Sequence, residues 1–231
     1  MAEGLRERKK RETRQRIADV AMGLFMTRGF DEVTVAEVAR AADVSVNTVF
    51  NYFGTKEDLF ADRQGFAEAA PVEVLRSRKP GESAVRAFRR DFLEAIETRS
   101  WRYGLQEGAD LFARMVGESP ALVAKMREIH QRREDALAAA LADELDADPD
   151  DLAPRLVAAH ILTTTRLLSA HAVRRIQAGE PWTTIGPGLR AQAEAAFDLL
   201  ESGIAGYCVR TDTEVRTDAE ADTGTDAGAG S

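Results

Sequence analysis

Making or breaking bonds requires a constellation of reactive side chains, and this 231-residue sequence does not supply one. Its three histidines are His130, His160 and His171, and its single cysteine is Cys208. On a helix, His160 and His171 share a face but stand ~16 Å apart, too far to hold one ion. Helical metal pairs want a spacing of three or four residues. A lone thiol allows neither an intrachain disulfide nor a thiolate zinc cage. The sequence has no G-x-S-x-G, no phosphate-binding lysine loop, no dinucleotide glycine fingerprint and no H-E-x-x-H. Adjacent acids such as Asp150 and Asp151 are common on charged helices. No catalytic residue, metal or cofactor is assigned, and the sequence does not read as an enzyme. Residues 34–59, by contrast, concentrate side chains that cap helices and form hydrogen bonds.

Those side chains need elements to position them. Thr34 with Glu37, and Thr55 with Asp58, each place an acid three residues after a threonine, the pattern of a capping box. Ser45 caps a helix expected at 46–53, and Gly54 ends it. A first helix, about 6–28, carries Ile17, Val20, Ala21, Leu24 and Phe25 on one face, and Gly29 stops it. A short second helix starts at Thr34 and ends near Ala41–Ala42, and Asp43-Val44 makes the turn. Two helices of about seven residues cannot stand alone in water. With the first helix and the one after Thr55 as platform, they form a helix-turn-helix. Further helices are expected at about 82–97, 103–116, 120–145, 151–178 and 187–205. Pro71, Pro80-Gly81, Ser119-Pro120, Pro149 and Gly179-Glu180-Pro181 are read as the breaks. There is no convincing strand, so the fold class is all-α.

Residues 17–59 resemble the DNA-binding signature of the tetracycline-repressor-like (TetR/AcrR) transcription regulators. The matching positions include Gly29-Phe30, Thr34-Val35, Val38-Ala39, Val44-Ser45, Thr48, Tyr52-Phe53, Lys56-Glu57 and Leu59. The sequence departs from the family pattern at Asp43, where a turn glycine is common, and at Val46, Asn47 and Phe50. Aspartate can occupy the left-handed backbone region, so the turn tolerates it. The other three changes alter the reading surface, and no family operator consensus carries over. A recognition helix meets base edges through its N-terminal residues. Val46, Asn47 and Asn51 are therefore the candidates for base readout: asparagine pairs with adenine, and valine packs on a thymine methyl. Phe50 is either an apolar contact to bases or sugars, or a packing residue. The resemblance implies phosphate contacts from Thr48, Tyr52 and Lys56. Thr34 adds a contact at a helix N-terminus. Phe53, Val49, Val38, Val44 and Leu59 read as core.

The resemblance further implies a C-terminal helical domain for ligand binding and dimerisation. Pocket candidates are Phe88, Phe92, Trp101, Tyr103, Phe112, Met115, His130, His160, Thr164 and Trp182, although aromatic and Met side chains at helical spacing are more often core than ligand contacts. Glu94, Glu97, Glu107 and Asp110 could face a cationic ligand or simply water. The helix at 151–178 offers Leu156, Val157, Ile161, Leu168, Val173 and Ile176 to a partner. The helix at 187–205 offers Leu189, Ala193, Ala196, Phe197, Leu200 and Ile204. An intramolecular core would look the same. The expected domains are 1–66 for DNA, 67–208 for ligand and dimer, and a disordered acidic tail at 209–231. The net charge is −8, but it is unevenly spread. Residues 1–16 carry a net +4 and residues 211–231 a net −5. The basic run is an arm for phosphates if it lies beside a reading element. The longest apolar run, Ala136–Ala142, is far short of the ~20 residues that span a bilayer. The expectation is a cytoplasmic homodimeric repressor with two partners, a DNA operator and a small, largely apolar inducer. The alternative is a helix-turn-helix adaptor or architectural protein without an inducer.

Overall fold

The computed structural model describes residues 4–204. The predicted acidic tail and Cys208 lie outside that range. Among the described residues the chain forms α-helices, one 3-10 turn and no strand. The helices are α1 (Leu5–Arg28), α2 (Val35–Ala41), α3 (Val46–Tyr52), α4 (Lys56–Arg76), α5 (Ala84–Thr98), α6 (Ala109–Glu118), α7 (Pro120–Leu145), α8 (Ala153–Gln177) and α9 (Trp182–Ile204). The 3-10 turn is Trp101–Tyr103.

Two cores organise them. The first joins Ile17, Ala21 and Phe25 of α1 to Phe30, Val38, Val49, Phe53, Leu59 and Phe60. It also takes Met115 from α6 and Leu122 from α7. The second packs Val74 and Leu75 of α4 with Phe88 and Phe92 of α5, Leu137 and Leu141 of α7, Ile161 of α8, and Leu189 and Phe197 of α9. Helices α4 and α7 thus serve both cores, one at each end.

The structure corrects several sequence expectations. Pro71 does not break the chain: it lies inside α4. Proline removes one ladder hydrogen bond, but buried Ala70, Val74 and Leu75 hold the helix on course. Residues 104–108 are not helical. Gly104 and Gly108 both take positive φ, and α6 starts only at Ala109. Helix α9 begins five residues before the expected start and runs through Pro187. Its buried stripe of Ile185, Leu189, Ala193 and Phe197 explains the extension. That stripe, with Val157, Ile161 and Leu168 of α8, belongs to the chain's own core. Those residues are therefore unavailable to a partner. Among the described residues, the large apolar side chains that α8 and α9 leave exposed are Leu156, Leu167 and Leu199.

Candidate nucleic-acid interface

Helix α2 starts with the expected capping box. The Thr34 hydroxyl accepts from the Glu37 N–H at 3.2 Å, and the Glu37 carboxylate accepts from the Thr34 N–H at 2.8 Å. The Thr34 hydroxyl also donates to that carboxylate at 2.8 Å, and Arg28 pairs with its other oxygen at 2.8 Å. These hydrogen bonds from Thr34, then Arg28, hold the Glu37 carboxyl down at about 2. Asp43 makes the turn at φ 52°, the left-handed conformation in which aspartate is among the better-tolerated residues.

Helix α3 is capped by Ser45, whose hydroxyl accepts from the Thr48 N–H at 3.0 Å and shares a 2.8 Å hydrogen bond with the Thr48 hydroxyl. Val49 and Phe53 turn inward and are buried. Val46, Asn47, Phe50 and Asn51 turn outward at the i, i+1, i+4, i+5 spacing of one helix face. Val46 is 37% exposed and Phe50 49%. Phe50 is thus on the outward surface and not in the core. The helix carries no charged side chain.

Thr48, Tyr52 and Lys56 lie half-buried beside that face, and Thr34 is exposed at the start of α2. The Lys56 ammonium sits over the Phe30 ring at 4.3 Å from its centroid. Thr55 and Asp58 form the second capping box, at the start of α4.

Two residues with structural roles here were not singled out from the sequence. Arg14, counted there among the charges of the basic arm, clamps the site together. It donates to the Tyr52 carbonyl at 3.1 Å and to Asp62 at 2.7 Å, and its guanidinium lies 4.8 Å from the Phe53 ring centroid. A cation on the last carbonyls of α3 also complements the helix dipole. The available signal was its phase: Arg14 stands on the same helical stripe as Ala18, Ala21 and Phe25. The second residue is Lys125 of α7, which reaches Asp58 at 2.9 Å. No local pattern in the sequence pairs residues so far apart.

The pocket candidates scatter. Phe88 and Tyr103 line one small cavity with Val74, Leu162, Arg102 and Arg133. Its volume is about 10 Å³, room for about one water. Phe92 is buried and packs edge-on against Tyr103 at 4.8 Å. The Tyr103 hydroxyl donates to Asp91 at 2.6 Å. Burial, then the Asp91 charge, pushes its pKa well up. Trp101 and His160 are exposed, while Thr164, Trp182 and His130 are half-buried. Burial, then the charges of Arg133 and Arg166, pushes the His130 imidazole down to about 4. Phe112 and Met115 are not with this group. They pack into the first core, where Phe112 stacks on Phe60 at 5.4 Å. Among the described residues no three His, Cys, Asp or Glu side chains converge on a metal position. None of the described helices is long and apolar enough to cross a membrane.

Residues 17–62 match the model of bacterial regulatory proteins, tetR family. The chain is 31% identical over 173 residues to the HTH-type transcriptional regulator TcmR of Streptomyces glaucescens, covering 72% of this chain and 75% of that one. It is 29% identical over 154 residues to the HTH-type transcriptional regulator AcrR of Shigella flexneri, covering 64% and 72%. Among solved structures, NalD, the secondary repressor of the MexAB-OprM multidrug efflux pump in Pseudomonas aeruginosa, matches with a TM-score of 0.53 at 18% identity, covering 85% of this chain and 97% of NalD. The SmeT–triclosan complex matches with a TM-score of 0.54 at 16% identity, covering 83% and 90%. These two show the fold. The helix-turn-helix geometry, the family match and the extent of the likeness to TcmR agree: the chain belongs to the tetR family of bacterial transcriptional regulators.

Proposed function

We propose that the chain is a homodimeric repressor that reads a specific operator through α3 and leaves it on binding a small, largely apolar ligand. On this reading it acts in the cytoplasm and catalyses no reaction. The observation that carries it is the outward face of α3, where Val46, Asn47, Phe50 and Asn51 stand exposed on a buried platform. Val46, Asn47 and Asn51 read base edges, and Phe50 makes apolar contact. Thr34, Thr48, Tyr52 and Lys56 contact phosphates and fix the register. One such head covers one half-site, so two copies are needed. Leu156, Leu167 and Leu199 on α8 and α9 support a dimer contact there, Leu199 being 78% exposed. Residues 1–66 form the DNA-binding unit, 67–208 the ligand and dimer unit, and 209–231 an acidic tail. Helix α4 crosses the boundary between the first two.

The test is fluorescence anisotropy with DNA from upstream of the chain's own gene and with random DNA, across a salt series. A preference of about a thousandfold or more is expected. Equal, salt-sensitive binding to every sequence tried would remove the specific-regulator reading.

One observation favours a second reading, that of an adaptor or architectural protein without an inducer. The cavity beside Phe88 and Tyr103, where these two pocket candidates meet, is about 10 Å³, far below the ~300 Å³ of ordinary ligand pockets. Against this, SmeT is a structural neighbour seen with triclosan. An inducer entering at this cavity would bind a more open conformer and draw the population toward it. A ligand that releases the protein from its operator would decide for the repressor.

A further inference from the structure

The junction of α6 and α7 is built into the reading head. Phe112 stacks on Phe60, and Met115 and Leu122 are buried in the same core. Ser119, buried between the two helices, donates to Asp31 at 2.9 Å. Lys125, one turn into α7, is 10% exposed and donates to Asp58 at 2.9 Å and to Glu128 at 3.0 Å. Asp58 is also the capping acid of α4: its other carboxylate oxygen accepts from the Thr55 N–H at 3.0 Å. The next residue along is Lys56, which opens α4.

We propose that Lys125 is a positioning residue for DNA binding. It touches no DNA itself. It locks Asp58 in the cap of α4, and the cap sets where Lys56 and the free N–H groups of the first turn meet the phosphate backbone. This rests on the DNA-binding reading above. Two features support it. Both charges of the pair are spent locally: Lys125 lies between two carboxylates, and Asp58 between the cap and the ammonium. The link also joins the long α7, which reaches the second core, to the part of α4 nearest the reading helix.

The test uses the full-length protein and a labelled random-sequence duplex, because phosphate contacts do not depend on sequence. Binding is followed across a potassium chloride series. Lys125→Gln is expected to weaken binding several-fold and to lower the salt slope by about one unit, the loss of one phosphate contact. Lys125→Arg should restore both. Asp58→Asn gives an opposite-sign control. Simple electrostatics predicts tighter binding when a negative charge leaves the DNA side, whereas positioning predicts weaker binding. In a Lys56→Ala background, Lys125→Gln should lower the slope no further. An unchanged slope in Lys125→Gln, or tighter binding by Asp58→Asn, overturns the proposal. If Lys125→Gln is unfolded by circular dichroism, Asp58→Asn decides: weaker binding supports the proposal and tighter binding overturns it. A wild-type chain that shows no salt-dependent binding would instead remove the DNA reading itself.

Discussion

Phe112→Ala tests where α6 belongs. The ring stacks on Phe60 with planes 14° apart and centroids 5.4 Å apart, inside the core of the reading head. Truncating a fully buried phenylalanine costs about 3–5 kcal/mol. Phe112 is only half-buried while Phe60 is fully buried, so about 2 kcal/mol is the appropriate expectation. For a chain of this size that lowers the melting temperature by about 4–8 °C. Urea unfolding followed by far-ultraviolet circular dichroism at fixed protein concentration measures it. A double-mutant cycle with Phe60→Leu should return a coupling of about 0.5–1.5 kcal/mol for the ring pair. The substitution should also weaken binding to random DNA, because the head loses part of its support. A residue that merely lined a ligand pocket would behave differently: stability would hold, and only ligand response would change. A loss under about 0.5 kcal/mol, with no coupling to Phe60, would refute the assignment of α6 to the head.

Three other outcomes are expected. The folded His130 titrates at about 4 and the unfolded imidazole near 6.5. The unfolded chain therefore takes up a proton first as pH falls, and this contribution to stability is full above pH 6.5 and lost on the way to pH 4. His130→Phe should flatten that part of a stability–pH profile, and an unchanged slope would assign it to other groups. Asp43→Gly should keep or raise the melting temperature, and Asp43→Ala should destabilise by about 1 kcal/mol, because alanine pays more at φ 52°. Glutamate at both Leu167 and Leu199 should give a folded monomer in sedimentation velocity, and a persisting dimer would place the interface elsewhere.

The reading head was largely legible in the sequence because its signals are local. The capping boxes at Thr34 and Thr55, the Ser45 cap and the aspartate turn each lie within a few residues. The placement of Val49 and Phe53 inward and Val46, Asn47, Phe50 and Asn51 outward follows from helical period alone. What escaped was long-range. Proline at 71 and 187 is a strong local stop signal, but packing on either side outweighed it. Phe112 and Met115 look like any apolar pair on a helix, and only the tertiary fold assigns them to the first core. The face of α8 and α9 that carries Val157, Ile161, Leu189 and Phe197 could have met a partner or its own chain. Periodicity reports that a face is buried, not what buries it.

The reading helix separates two kinds of side chain by face. Folding depends on Val49 and Phe53, which are buried, while the four outward residues contribute little to the core. Substitutions at Val46, Asn47, Phe50 and Asn51 therefore cost little stability. On the proposed reading of these four positions, a lineage can then change its target sequence by point mutation without first acquiring stabilising compensation elsewhere. The same separation suits laboratory redesign: a library randomised at these four positions should remain folded across most of its members and diverge only in the DNA it selects.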